Sequence, residues 1–465
     1  MIERFVKSPL TFQDQRPLGN FSLENKHTYR RILQVAGPII IGQLAENVIN
    51  LTDTIFVARL GEQQLGAVGL AGLYYYTFML MGLGMAMGVQ ILVGRRNGEK
   101  SYHEIGVITD NALVTFAGIG FMIFALIKLV SPGLLALMIP SHDIYDMSRS
   151  YINTRSYSLL FVCLTFVFRA FYIGITETRV IIYITIGAAL INVFFNQALI
   201  FGYWGFEKMG IRGSALASVI AEACALASYI LYTVYRKQNK KFSLFKFNQL
   251  NFNIIWSFLK LGVPVMLQTW ISVSSWFVFF IFMAHLNNRA LSVSTLIKSV
   301  YILMMIPIWG FGSASNTLVS NAMGAERPFE VVPIVKRIIL VSFTFLIPVV
   351  LFNFLFPWVI LHIFSDDASV IADAVGPLRM VSVAILAYSF GGIMFNAVSG
   401  TGSTLVSLVI ELVILFMYFA YVTFCRFLFP TSLTLFWGSE LVYMGFMAIL
   451  SFFYLRSGRW KGMKI

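Results

Sequence analysis

The chain has 465 residues, of which 58% are apolar and only 12% charged, and its mean hydropathy is +0.79. Soluble domains average about 25% charged residues, and so little polar material cannot cover an apolar core of this size in water; lipid is the solvent that fits. The net charge of +13 would point to nucleic acid in a soluble protein, but the basic residues gather in short segments between apolar runs, as contact with lipid head groups requires.

Residues 1–31 are polar, and the first apolar run starts near Ile32. That run is too long for the core of a signal peptide, and no small-residue cleavage pattern follows it. Residues 1–31 are therefore expected to form a cytoplasmic N-terminal arm. A membrane span needs roughly 20 apolar residues to cross about 30 Å of hydrocarbon. Runs of this kind fall at 32–58, 65–93, 105–130, 149–173, 178–201, 211–235, 254–284, 290–319, 334–361, 374–399, 403–427 and 434–456. The longest polar interior stretch, 236–253, contains RKQNKK and divides six runs from six. The pattern predicts an all-α polytopic membrane protein of 12 spans. Its expected units are an N-lobe (32–235), a cytoplasmic linker (236–253), a C-lobe (254–456) and a cytoplasmic tail (457–465).

The first run carries Gln43, Glu46, Asn47, Asn50 and Asp53. Spacings of three, four and seven put them on one helix face. A polar stripe cannot face lipid, so it faces the bundle interior or water. The fifth run carries Asn192 and Asn196, four apart on one face. Their amide oxygens are neutral hard ligands that suit a small cation beside a carboxylate; the alternative is a hydrogen bond across helices. Ser214 and Ser218 in the sixth run add hydroxyls. Lys298 stands as the one basic residue within a run: it lines a cleft, snorkels outward or pairs with a carboxylate. Glu222, Glu411 and Glu440 each read as isolated acids in or near spans. The cation-coupling candidates are thus Asp53, Asn192, Asn196, Glu46 and Asn50; the candidates for lining a substrate cleft are Gln43, Ser218, Gln268, Lys298 and Tyr388. Pro38, Pro264 and Pro307 sit inside spans, as static kinks or as hinges.

With the N-terminus inside, most of the 34 Lys and Arg residues fall in inside segments, which predicts that both termini are cytoplasmic. Trp204, Trp358 and Trp437, near run ends, are expected to be interfacial anchors. The three cysteines, Cys163, Cys224 and Cys425, lie in apolar runs without CxxC spacing, which argues against a disulfide framework or zinc site. There is no GxxxxGK[ST] loop, HExxH, CxxCH or GxSxG, so neither ATP-driven pumping by this chain alone nor an enzyme is favoured, and no cofactor is implied.

A shift of 226 residues brings the halves into register. Pro38 falls on Pro264, Tyr75 on Tyr301, Gly84 on Gly310, Gly98 on Gly324, Gly174 on Gly400 and Thr178 on Thr404. Each half has six spans, an even number, so both copies enter from the same side. Such parallel repeats enclose a cleft whose two lobes rock.

The stretches PIIIGQLAENVINLTDTIFVARLGEQQLGAVGLAG from Pro38, GVQILVGRRNGEK from Gly88 and INVFFNQALIFGYWGFEKMGIRGSALAS from Ile191 resemble the multidrug and toxic compound extrusion (MATE) family, echoed by LVSNAMGAER from Leu318 and SGTGST from Ser399. The resemblance covers about residues 30–455. It implies a V-shaped pair of six-helix lobes that exports organic, often cationic compounds against inward Na⁺ or H⁺, with no nucleic acid partner, as a monomer in a bacterial cytoplasmic membrane. It also implies that Asp53, within Leu51-Thr52-Asp53-Thr54, is a coupling carboxylate, completed by Asn192 and Asn196. The acids that many members carry in the seventh and tenth helices fall here near Ser272 and Tyr388, which favours coupling through the N-lobe. The rival expectation is a flippase or exporter of a lipid-linked precursor or metabolite, which requires a cationic cleft.

Overall fold

A computed structural model describes residues 21–463 and 465, apart from 140, 248, 249 and 430. Residues 1–20 of the expected arm lie outside the described residues. Among the described residues 12 helices are long and apolar enough to cross a membrane: α1 (Tyr29–Ala58), α2 (Glu62–Gly98), α3 (Tyr102–Leu137), α4 (His142–Gly174), α5 (Arg179–Phe201), α6 (Ile211–Tyr235), α7 (Phe252–Leu286), α8 (Asn288–Gly324), α9 (Pro328–Leu355), α10 (Ala368–Gly400), α11 (Thr404–Leu428) and α12 (Leu433–Ser457). The helix of α1 already begins at Phe21. Helices satisfy every backbone group internally, the condition for crossing lipid.

Several ends are fixed by side chains that accept otherwise unpaired N–H groups. Asn251 caps α7, Asn287 caps α8 and Asp367 caps α10. The linker between α6 and α7 turns through left-handed residues at Ser243, Phe245 and Phe247. Asp110 of α3 holds it there, accepting from the backbone N–H groups of Phe245 (2.8 Å), Lys246 (2.9 Å) and Phe247 (3.1 Å).

The two halves pack alike. In the first, α1 lies on α5 and α2 on α4; in the second, α7 lies on α11 and α8 on α10. Across the halves α2 packs on α7 and α1 on α8. Glycines permit these crossings, because van der Waals contact rather than water expulsion drives helix association in lipid. A Cβ at Gly84 would lie 2.4 Å from the Met266 Cα, and one at Gly310 would lie 2.3 Å from the Ile40 side chain. Ile40 and Met266 are themselves repeat partners, so one contact occurs twice.

Hydrogen bonds between the halves gather at one end, where α2 and α8 finish. Gln90 Nε2 donates to Asn316 Oδ1 (3.2 Å) and Thr317 Oγ1 (3.0 Å). Asn97 donates to Asn321 (2.6 Å), and Ser320 donates to the Ile91 carbonyl (2.6 Å). Arg95, buried, donates to the carbonyls of Thr401 (3.4 Å) and Met463 (2.9 Å), so the tail after α12 straps this end. The buried Trp460 indole anchors that tail by donating to the Leu455 carbonyl.

Two sequence expectations are corrected. Trp437 is no interfacial anchor: it is 1% exposed, and its indole donates to Ser294 inside the second half. Trp204 and Trp358 are exposed, as anchors need to be. Lys298 is also not the one basic residue inside a span, since Arg155 and Arg169 both lie within α4. Each is paired with a carboxylate from another helix, Arg155 with Glu222 and Arg169 with Glu46.

Candidate functional site

Asp53, the last member of the polar stripe of α1, meets α5 and α6 and organises a closed ring of hydrogen bonds. Asn196 Nδ2 donates to Asp53 Oδ1 (2.5 Å) and to Asn192 Oδ1 (2.9 Å). Asn192 Nδ2 donates to Ser218 Oγ (3.4 Å), and Ser218 Oγ donates to Asp53 Oδ2 (3.3 Å). Asn192, Asn196 and Ser218 are buried while Asp53 is half-buried. The i, i+4 spacing on α5 puts both amides on one face. Among the described residues Asp53 forms no ion pair, and Asn196 Oδ1 is buried with no partner. The ring therefore offers a carboxylate and a free amide oxygen at the same point, with donors that hold the carboxylate in place. A carboxylate beside neutral amide and hydroxyl oxygens is a donor set chemically suited to a proton or a small hard cation. Among the described residues no group of three or more His, Cys, Asp and Glu could hold a metal ion.

The other candidates lie elsewhere. Glu46 does not join the ring; it pairs with Arg169 of α4. Asn50 is exposed. Ser218, expected in the cleft, belongs to the ring. Gln43 Oε1 and Gln268 Oε1 are buried without partners. Lys298 Nζ sits 5.0 Å from the centre of the Phe280 ring, a cation–π contact that none of the three sequence options foresaw. Tyr388 is half-buried on α10.

Sequence reasoning missed the partners of the in-span acids. Glu222 is not isolated: Arg155 Nη2 donates to its Oε1 at 2.8 Å, and the guanidinium lies 4.5 Å from the Tyr75 ring centre. Glu411 and Glu440 are not isolated either, being bonded to Tyr443 and to Tyr301 and Trp276 respectively. The signal was available: a carboxylate in a span requires a partner, and the basic and aromatic residues of other spans were the places to look.

The MatE family profile matches residues 38–197 and again 264–423, displaced by the same 226 residues that separate Gln90 from Asn316. A probable multidrug resistance protein NorM of Synechocystis is 29% identical over 283 residues, 60% of this chain and 61% of that protein. The match thus spans less than two thirds of that relative's length. A second, from Thermotoga maritima, is 21% identical over 442 residues, 93% of each chain. A crystal structure of a Vibrio cholerae MATE transporter superposes with a TM-score of 0.87 at 15% identity, covering 95% of this chain and 100% of that one. At that identity the likeness speaks to the fold alone.

Proposed function

The chain belongs to the MATE family of membrane transporters, and from that premise we propose that it is a secondary antiporter exporting organic, often cationic compounds in exchange for H⁺ or Na⁺. The observation that carries this reading is the Asp53–Asn196–Asn192–Ser218 ring. Among the described residues Asp53 is a carboxylate without an ion-pair partner, so it has one charge to offer. An inward-moving cation and an outward-moving organic cation compete for that charge, and competition for one site is what antiport requires. Relatives described as probable multidrug resistance proteins support the choice of cargo.

The lobes are 32–235 and 254–456, joined by 236–253 and followed by the tail 457–465. Both termini lie in the cytoplasm of a bacterial cell and the protein works as a monomer in its inner membrane. In that orientation the sealed end around Gln90 and Asn316 is the cytoplasmic one, and Asp53, late in α1, lies toward the outside. Rocking of the lobes about the glycine crossings then alternates access. The flippase alternative needs a cationic cleft. The in-span Arg155 and Arg169 are each neutralised by Glu222 and Glu46, which weighs against it.

The test is efflux of ethidium or norfloxacin from proteoliposomes under imposed pH and Na⁺ gradients, with wild type and Asp53→Asn. Gradient-driven efflux that disappears in the folded variant is the expected result, and the effective gradient names the ion. Full efflux by Asp53→Asn, or none by folded wild type under either gradient, overturns the reading.

A further inference from the structure

The second half of the chain has lost the counterpart of the Asp53 ring and gained another pair of acids. Shifted by the 226 residues that separate Gln90 from Asn316, Asp53 becomes Phe279, Asn192 becomes Tyr418 and Asn196 becomes Val422. All three are buried in one apolar cluster, with the Phe279 and Tyr418 rings 6.4 Å apart. No ion site survives at that position.

Close by, Glu411 of α11 and Glu440 of α12 are 1% and 3% exposed. Glu411 Oε1 accepts from the Tyr443 hydroxyl, which shares a hydrogen bond of 3.1 Å with Ser272 of α7. Glu440 Oε1 accepts from the Trp276 indole of α7 (3.1 Å), and Oε2 from the Tyr301 hydroxyl of α8 (2.7 Å). Tyr388 of α10 and Tyr418 of α11 complete the titratable groups facing the two carboxyls. Every one of these is a tyrosine, neutral at physiological pH. Among the described residues neither glutamate forms an ion pair, and Lys298 is engaged over Phe280 instead.

We propose that Glu411 and Glu440 form a second, C-lobe proton-binding site, loaded in the conformation described here and separate from the Asp53 ring. An ionised carboxylate buried without a cation is expensive, and in practice such a group neutralises. Sodium is a poor occupant. It needs several oxygen ligands, whereas the Trp276 N–H, which can only donate, points its positive end at the Glu440 oxygen. A proton needs one oxygen and a reorientable neighbour, and the Tyr301 and Tyr443 hydroxyls supply that.

The partners of the two acids come from different helices. Ser272 and Trp276 sit on α7 and Tyr301 on α8, while both acids sit on α11 and α12. A displacement of α7 and α8 against α11 and α12 within the C-lobe would break the bonds of Trp276 and Tyr301 to Glu440 and that of Ser272 to Tyr443, leaving Glu411 bonded to Tyr443.

The test is infrared difference spectroscopy of the full chain in lipid nanodiscs across pH, which needs neither a drug nor a gradient and so stands apart from the efflux reading. At neutral pH a protonated-carboxyl band is expected, with one component lost in Glu411→Gln, another lost in Glu440→Gln, and both kept in Asp53→Asn. Tyr301→Phe and Trp276→Phe, which leave the acid in place, are expected to shift the Glu440 component; they carry the test where a glutamine variant fails to fold. Excess Na⁺ is expected to leave the band unchanged. A band insensitive to all of these variants overturns the proposal, and so does its removal by Na⁺.

Discussion

Gln90 and Asn316, which occupy the same position in the two copies of the repeat, are hydrogen-bonded to each other at 3.2 Å. Residues related by a two-fold axis can touch only on that axis. The pair therefore marks where the pseudo-symmetry axis leaves the sealed end of the molecule, and it contributes most in the conformation in which that end is closed.

Replacing Gln90 with Leu leaves Asn316 Oδ1 and Thr317 without their donor in a buried place, a loss of about 1–3 kcal/mol. Replacing Gln90 and Asn316 together by Leu removes both ends of the bond. The double variant is expected to lose less than the sum of the two single losses. A double-mutant cycle on unfolding in detergent measures this; strict additivity would mean that the bond does not couple the halves.

Gly98 and Gly324 are also repeat partners, and each crosses the other half's backbone. A Cβ on Gly98 would come within 2.0 Å of the Asn321 carbonyl oxygen, and one on Gly324 within 1.9 Å of the Arg95 oxygen. Backbone cannot yield as a side-chain tip can, so Gly98→Ala and Gly324→Ala should both hold the sealed end open. Spin labels on α2 and α8 are expected to report the same widening in each variant, with transport reduced roughly tenfold or more, a change of about 1.4 kcal/mol. Gly72→Ala is the control, since a Cβ there meets nothing within 4 Å.

These relations show what spacing along a chain reveals. The helix count, the repeat and the shared face of Gln43 through Asp53 follow from periodicity, which is a property of one helix at a time. The convergence of Asp53 on Asn192 and Asn196 came from the family resemblance and from chemical complementarity. The pairs Arg155–Glu222, Arg169–Glu46 and Trp276–Glu440 join residues 67, 123 and 164 positions apart on different helices. No period connects them; only packing does. Trp437 was misread for the same reason, because closeness to a run's end does not tell which way a side chain faces.

Asp367 gives a prediction for pH. Its exposed carboxylate caps α10, accepting from the Ser369 backbone N–H (2.9 Å), the Val370 N–H (3.2 Å) and the Ser369 hydroxyl (2.5 Å). The Ser369 hydroxyl, these two amides and the nearby Arg289 hold its pKa below the ordinary 3.8. A depressed carboxyl stabilises the fold above its unfolded pKa, and that contribution is lost as pH falls through the folded value. The melting temperature of wild type should therefore exceed that of Asp367→Ala by a constant amount near neutral pH. The gap should narrow below pH 3.8; a gap independent of pH would assign the effect to side-chain volume rather than to charge.

Arg95 shows how the tail takes part in the conformational cycle. It is the first arginine of the Gly94-Arg95-Arg96-Asn97-Gly98 segment, and it is buried where α2 meets the second half. Its guanidinium spans two carbonyls, Thr401 of the opposite half at 3.4 Å and Met463 of the tail that follows it at 2.9 Å. Hydrogen bonds from a charged donor are worth about 1.5–3 kcal/mol, and these exist only while the halves are together at this end. Arg95→Met keeps the bulk and removes the donors. The variant is expected to fold, to free the tail for proteolysis after Ser457, and to shift the population toward the state open at the sealed end. Limited proteolysis alongside spin-label distances reads both effects at once. Enhanced cleavage with unchanged distances would make the strap a passive anchor, whereas unchanged cleavage would show that the buried Trp460 holds the tail without Arg95.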